Sequence, residues 1–146
     1  MIAGLAADIV AKVKTVTALA ASTALSIGGR TNDPGLLKIP LPAAWVVLKA
    51  DGTDEANLSH GPNSGLIPPS QEMMATYAVT LFIPYISDAD LLATQFPLLE
   101  AVVKAVHATD APSGYRWRYV GQKIALVYPD RLAYEQRYTV SYVTNA

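Results

Sequence analysis

The chain has 146 residues, of which 51% are hydrophobic and only 16% are charged, and its net charge is -1. The charged share lies below the roughly 25% usual for soluble domains, so we expect one domain over residues 1–146 with more apolar surface than its core hides. The net charge excludes a global basic field for nucleic acid. The absence of cysteine excludes disulfides, thiolate metal sites and thiol catalysis.

The N-terminal segment predicts an amphipathic helix from Ile2 to Lys14. Apolar residues recur at helical spacing, while charged residues lie off that stripe. The charges Asp8, Lys12 and Lys14 interrupt what would be the apolar core of a signal peptide, so we expect this segment to belong to the folded protein. No run of the sequence approaches the ~18–20 apolar residues of a membrane span.

Two interpretations are open for residues 15–27. The segment either extends the first helix or passes through a loop into a short strand at Ala24–Ile27, and its β-branched residues favour the strand. A turn cluster follows, and Leu41–Ala50 then predicts a strand that ends at Asp51-Gly52. Pro40 and Pro42 precede this strand or stand at its start, where a missing N–H is tolerated.

The segment from Asp51 to Ser70 predicts a long loop. It is rich in Gly, Pro, Asn, Asp and Ser and shows no periodicity. A loop of this length in a compact domain is usually functional or disordered.

The middle of the chain predicts a strand followed directly by a long helix. Gln71–Tyr85 alternates, with both sets fairly apolar, which is typical of a central strand covered on both faces. Ser87 or Asp88 caps the helix. Pro97 either kinks this helix or opens a second one in its first turn. The residues that we expect to form its apolar stripe are Leu92, Phe96, Leu99, Val103 and Val106, and Leu91, Leu98 and Val102 widen it.

The last third of the chain predicts three strands, Tyr115–Val120, Lys123–Tyr128 and Arg131–Val143, the last two joined at Pro129-Asp130. Alternation places the tyrosines of the final strand on one face and Glu135 and Arg137 on the other. The predicted fold is therefore α+β, with a mostly antiparallel sheet and two helices packed on one face.

No catalytic constellation emerges from the sequence, and we predict neither enzyme activity nor a cofactor or metal. His107 ends the long helix, where a cation meets the helix dipole favourably. His60 lies in the long loop without ligands at metal-binding spacing. Arg116, Arg118 and Arg131 lie near aromatic residues, but alternation places the first two opposite the aromatic rings, which disfavours stacking on single strands.

The element order and several segments resemble the tail terminator, or tail completion, proteins of long-tailed bacteriophages. The resemblance extends along the whole chain and rests on pattern and order, without an invariant motif. The segments that carry it are Ile9–Val13, Ala43–Leu48, Tyr77–Tyr85 with the helix after it, Gly121–Ile124, Tyr128–Arg131 and Tyr134–Val140.

The resemblance implies an assembly protein of the virion, in the neck region of the tail, assembled in the host cytoplasm. Members form hexameric rings that cap the head-proximal end of the tail tube and stop tube polymerisation. The partners implied are the tail tube protein and the head–tail connector or stopper protein. We expect no membrane and no sequence-specific nucleic acid as partners, although such a ring leaves room for DNA to pass through.

Two alternatives stay open. One is another head–tail joining or minor tail component, such as a stopper-like protein. The other is a small α+β ligand-binding domain or enzyme whose pocket uses the tyrosines. For the assembly reading, we expect the long loop and the charged face of the final strand to meet a neighbouring subunit or partner. The residues predicted for this contact are Thr53, Asp54, Glu55, Asn57, His60, Asn63, Leu66, Arg131, Glu135 and Arg137.

Overall fold

The computed structural model of the chain describes residues 2–25, 41–52 and 70–145. The helices are α1 (Ile2–Lys14), α2 (Asp88–Asp90) and α3 (Phe96–Val106), with a 3-10 turn at Thr17–Leu19 and a π-helical turn at Leu91–Gln95. The strands are β1 (Thr23–Leu25), β2 (Ala43–Gly52), β3 (Ser70–Pro84), β4 (Arg118–Val127) and β5 (Arg131–Asn145). The predicted α+β class is confirmed.

The described strands form one sheet in the order β1-β2-β3-β5-β4. β1 is parallel to β2, and all the other neighbours are antiparallel. β3 and β5 pair along their whole lengths, from Ser70 opposite Asn145 to Pro84 opposite Arg131. The final strand therefore finds the neighbours that its length and alternation require, and β4 is the last described strand on one side.

Both long helices pack on the same face of the sheet, as the sequence predicts. Trp117 is fully buried beneath them and meets Tyr77 edge to face, with 5.6 Å between the ring centroids. Burying each large aliphatic side chain contributes about 1.5–3 kcal/mol, so this layer is the main source of stability. The helical residues that join this core are Leu5, Ile9, Val13, Leu99, Val102 and Val106.

The face of the sheet opposite the helices, which we call the outer face, has a smaller buried cluster at one end. Ala43, Phe82 and Ala133 form this cluster, and Trp45 meets Phe82 edge to face at 5.3 Å. β3 is therefore buried on both sides, as its two apolar faces predict.

The π-helical turn changes which residues of the second helical segment face the core. The prediction that Leu92 joins the apolar stripe is wrong, because Leu92 is 68% exposed and Leu91 is buried. Pro97 has no N–H, and in an α turn its ring would meet the carbonyl four residues earlier. A π turn holds an extra residue, so the buried position moves from 92 to 91. Pro97 then stands in the first turn of α3, the second of its two predicted roles.

Both ends of the predicted loop Asp51–Ser70 belong to strands, and residues 53–69 between them lie outside the described residues. β2 continues through Asp51 and Gly52, because Gly52 pairs with Met74 and the Asp51 carboxylate accepts a hydrogen bond from the Tyr142 hydroxyl at 2.8 Å. At the other end, Ser70 already belongs to β3.

The two strands predicted at Tyr115–Val120 and Lys123–Tyr128 form a single strand, β4. Its pairing with β5 shifts by one residue between Tyr119 and Gly121 and again between Ile124 and Leu126. Each β-bulge adds one residue and bends the strand without ending it, so Gly121 marks a bulge where the sequence indicated a break.

The open question over residues 15–27 is settled for its described part. α1 ends at Lys14, a 3-10 turn follows, and β1 begins at Thr23, so the strand interpretation is confirmed over Thr23–Leu25. Residues 26 and 27 of the predicted strand lie outside the described residues.

Candidate functional site

The two faces of β5 differ in chemistry, as predicted from the alternation of its residues. Tyr138 and Tyr142 lie in the core under the helices, whereas Glu135 and Arg137 lie on the outer face. Burial and the hydrogen bond to Asp51 raise the pKa of Tyr142 to about 12, so this hydroxyl stays protonated at neutral pH.

A buried glutamate organises the charges of the outer face. The Glu135 side chain is only 7% exposed and forms ion pairs with three cations. Its carboxylate oxygens lie 2.9 Å from Arg137 Nε, 3.1 Å from Lys49 Nζ and 3.7 Å from Lys123 Nζ. Three strands, β2, β4 and β5, thus converge on one carboxylate.

The cations fix the ionisation state of this carboxylate. Burial by itself would raise the pKa of Glu135, but the hydrogen bonds from Arg137 and Lys49 outweigh it and lower the pKa below its ordinary value of 4.5. Glu135 is therefore an anion at neutral pH. One negative charge shared by three positive charges leaves the cluster net positive.

Arg118 extends this positive charge along the outer face. It is exposed and lies opposite Thr139, two residues along β5 from Arg137. The aromatic neighbours point to the other side, since Trp117 is buried and Tyr119 packs on Tyr138 with 5.6 Å between the ring centroids. The sequence-based expectation that arginines and aromatic rings would separate is confirmed for these residues.

β4 lies at an edge of the described sheet and carries exposed apolar side chains. Val120, Ile124 and Val127 are 61%, 55% and 68% exposed. Natural edge strands are protected by charges, bulges or a covering element, and β4 has two bulges and Lys123. Its exposed aliphatic side chains are nevertheless of the kind that promote association beside unpaired backbone groups. This strand is therefore a candidate interaction surface.

A groove of about 540 Å³ runs between α3 and the β4 side of the sheet. Phe96 and Tyr134 meet edge to face within it, at 6.2 Å between the ring centroids. Ile124 pairs with Tyr134, so the groove continues onto the exposed side chains of β4. The groove is lined by Phe96, Leu99, Glu100, Val103, Lys104, Tyr119, Gln122 and Tyr134.

A polar network under the helices ties α3 to the sheet. The fully buried Gln136 donates from Nε2 to the Leu99 carbonyl oxygen and to Gln122 Oε1, both at 2.9 Å. Its Oε1 accepts a hydrogen bond from the Tyr138 hydroxyl at 2.8 Å. Each polar atom of this amide thus has a partner, which fixes the distance between α3 and β5.

Most of the predicted contact residues lie outside the described residues, namely Thr53, Asp54, Glu55, Asn57, His60, Asn63 and Leu66. The other three lie on the outer face of β5. Arg131 forms an ion pair with Asp130 at 3.1 Å. Glu135 and Arg137 belong, with Lys49 and Lys123, to the group of ion pairs that we call the glutamate cluster. Contact of these residues with a neighbouring subunit stays a prediction.

His107 ends α3, as predicted. Its Nδ1 accepts a hydrogen bond from the backbone N–H of Tyr119 at 3.0 Å. The ring therefore joins the end of the helix to the start of β4. Within residues 2–25, 41–52 and 70–145, no group of three or more His, Asp or Glu side chains is placed to hold a metal ion.

None of the helices in the described part of the chain is both long and apolar enough to cross a membrane. Comparison of the chain with protein-family models and with curated protein sequences finds no match.

The sequence analysis missed two members of the glutamate cluster. Lys49 and Lys123 lie 86 and 12 positions before Glu135 in the chain, and only the pairing of β2, β3, β5 and β4 brings them together. A regular hairpin that turns at Pro129-Asp130 would place Lys123 opposite Gln136, and the bulge between Ile124 and Leu126 moves it opposite Glu135. Local patterns therefore gave no signal for Lys123 or for Lys49.

Proposed function

We propose that this chain is a tail terminator of a long-tailed bacteriophage. It forms a ring at the head-proximal end of the tail tube, stops tube polymerisation and joins the tail to the head connector. The chain folds in the order on which the resemblance rests: an amphipathic first helix, a strand entered from Pro42, a long central strand followed by a helix, and a closing hairpin. This order supports the proposal.

The observation that carries the proposal is the exposed apolar side of β4. This ten-residue strand has three exposed aliphatic side chains, and an apolar edge of this kind favours association with another protein surface. A contact between the β4 strands of two copies would close as a dimer, so in a ring β4 meets a different surface of the neighbouring copy. Such heterologous contacts close into rings or continue as filaments.

The groove beside β4 favours the alternative of a ligand-binding domain. Its volume of about 540 Å³ lies within the range of small-molecule sites, and it combines aromatic walls with Glu100, Lys104 and Gln122. If the chain forms a ring, the same groove receives side chains of the neighbouring subunit. Ring formation distinguishes the two functions.

Light scattering coupled to size exclusion tests the ring. Six copies of the 15.5 kDa chain give a mass of about 93 kDa. Ile124→Lys combined with Val127→Lys places charges on β4 and is expected to yield monomers with an unchanged circular dichroism spectrum. Leu92→Lys, at a position 68% exposed in the π-helical turn and outside the lining of the groove, is the control and keeps the ring.

Adding the purified chain to polymerising tail tube protein tests the capping role. Electron microscopy is expected to show shorter tubes with the wild-type chain and unchanged tubes with the Ile124→Lys/Val127→Lys variant. A wild-type chain that remains monomeric at tens of micromolar and leaves tube length unchanged contradicts the proposal.

A further inference from the structure

The outer face of the sheet concentrates positive charge in a chain whose net charge is -1. We call Lys49, Arg118, Lys123 and Arg137 the cationic face. Among the described strand residues of the outer face, the acidic side chains are Glu72 and Glu135. Arg131 lies on the same face with its neighbour Asp130. The cationic face together with both glutamates carries a charge of +2.

Glu135 holds three of these cations in place without hiding them. The side chains of Lys49, Arg137 and Lys123 are 34%, 44% and 62% exposed while they contact the buried carboxylate. Each keeps N–H donors that can face an incoming anion, since an ammonium has three donors and a guanidinium has five. The glutamate thus lowers the repulsion among the cations and fixes their positions.

The register of the sheet sets the size of the cationic face. Arg118 lies opposite Thr139 and Lys123 lies opposite Glu135, so four residues of β5 separate them, about 14 Å. Arg137 lies between them on the neighbouring strand. Both long helices lie on the other side of the sheet, so this arrangement is an extended stripe of charge on a sheet surface.

We propose that the cationic face binds the phosphate backbone of double-stranded DNA without sequence preference. Contacts from Arg and Lys to phosphates provide affinity but carry no base information. The two aromatic rings that flank Arg118 in the chain offer no stacking surface for single-stranded bases, because Trp117 is buried and Tyr119 packs on Tyr138. A role for this face along the DNA channel of a ring rests on the proposed function, whereas the binding itself does not.

Fluorescence anisotropy of a short labelled duplex with the full chain tests the proposal. Affinity is expected to fall as salt rises from about 50 to 200 mM, with a slope of log K against log salt near -0.9 for each neutralised phosphate. Arg118→Gln with Lys123→Gln is expected to weaken binding at least about tenfold and to reduce the slope by roughly 2 for each engaged subunit. Duplexes of unrelated sequence are expected to bind equally.

A second variant is expected to change DNA affinity in the opposite direction, which distinguishes an effect of charge from an effect of a damaged fold. Glu135→Gln keeps the shape of the side chain but removes the negative charge that is paired with the three cations. The net positive charge of the face rises, so DNA binding is expected to tighten by roughly two- to tenfold. A variant that merely damaged the fold would weaken binding. Lys12→Gln with Lys14→Gln removes the same charge from α1, on the helical side of the sheet, and is the matched control, expected to bind like the wild type.

Each outcome decides the proposal. It is overturned if the Arg118/Lys123 variant binds as tightly as the wild type, if the helical-side control loses as much affinity, or if Glu135→Gln weakens binding while its circular dichroism spectrum and unfolding midpoint stay those of the wild type. Binding of polyglutamate competitor but not of DNA also overturns it and indicates an acidic protein as the partner. Light scattering on the same samples distinguishes ring formation from DNA binding. DNA binding by a monomer contradicts the proposed ring and supports the role of the cationic face. A ring that does not bind DNA supports the ring and contradicts the role of the cationic face.

Discussion

Trp117 donates a hydrogen bond from its indole Nε1 to Asp8 Oδ2 at 2.8 Å, and this contact joins α1 to the segment that leads into β4. Lys12 reinforces the joint, because its Nζ pairs with Asp8 and also donates to the Asp110 carbonyl oxygen at 2.9 Å. The first helix is thereby fixed to a part of the chain more than a hundred residues away.

Asp8→Ala is expected to destabilise the fold by about 1–3 kcal/mol, because it leaves the indole N–H of the buried Trp117 without its acceptor. Urea unfolding followed by tryptophan fluorescence measures the effect. Lys12→Gln, which removes only a partly exposed partner, is expected to cost less than about 1 kcal/mol. Equal losses in the two variants would contradict the role assigned to the indole contact.

Gln136→Leu is expected to cost about 1–3 kcal/mol, because the Tyr138 hydroxyl loses its buried acceptor and α3 loses its tie to the sheet. Chemical denaturation measures the change in the free energy of unfolding. In a double-mutant cycle, Tyr138→Phe is expected to cost less in the Gln136→Leu background than in the wild type. Strictly additive losses would show that the two side chains do not act as one network.

The stability of the protein is expected to decrease in acid through Glu135. Its pKa in the folded state lies below the ordinary value of 4.5, so its contribution is fully present above pH ~4.5 and is lost as pH falls through the folded-state pKa. Urea unfolding of the wild type and of Glu135→Gln between about pH 7 and pH 3 measures this contribution. The difference between the two proteins is expected to shrink towards acid pH, and a constant difference would contradict the ion-pair account.

Deleting Thr53 to Leu66 is expected to leave the fold intact and to impair assembly. Three residues then join Gly52 to Ser70, which lies four residues beyond Met74, the partner of Gly52. The gap is about 14 Å, and four Cα steps of about 3.8 Å can just cross it. Circular dichroism and light scattering measure fold and assembly.

A Gly/Ser segment of the native loop length is the control for this deletion, because it removes the side chains without tightening the connection. It is expected to fold like the wild type and to assemble as poorly as the deletion. Unfolding of both variants would show that the loop serves the core of its own subunit.

Local patterns in the sequence were sufficient for most elements of the fold. The stripe of Leu5, Ile9 and Val13 predicted α1 with its observed ends, and the alternation from Arg131 onward predicted which face of β5 enters the core. The errors arose where the backbone departs from a regular period, at the π turn before Pro97 and at the bulges of β4. An irregular turn or a bulge shifts by one residue the positions that follow the regular period on one side of it, and no count of periodicity reveals it.

The candidate surfaces were less accessible to sequence analysis. The role of Arg137 and Glu135 as outer-face charges follows from alternation alone. The contact of Glu135 with Lys49 depends on the order of the strands in the sheet, which an alternating pattern of residues does not specify. The exposure of Val120, Ile124 and Val127 depends on β4 lying at the side of the sheet, although the residues themselves look like ordinary strand residues.

The sequence by itself determined the class of the fold, the two-faced character of β5 and the absence of thiol chemistry, because these follow from composition and from the fixed side-chain periods of helices and strands. Tertiary structure alone decided that β3 and β5 form the centre, that three cations meet at Glu135, and that the apolar side of β4 is exposed. The physical reason is that the order and register of strands are set by contacts between distant segments. Such contacts are selected by the packing of the whole core and leave no local pattern in the chain.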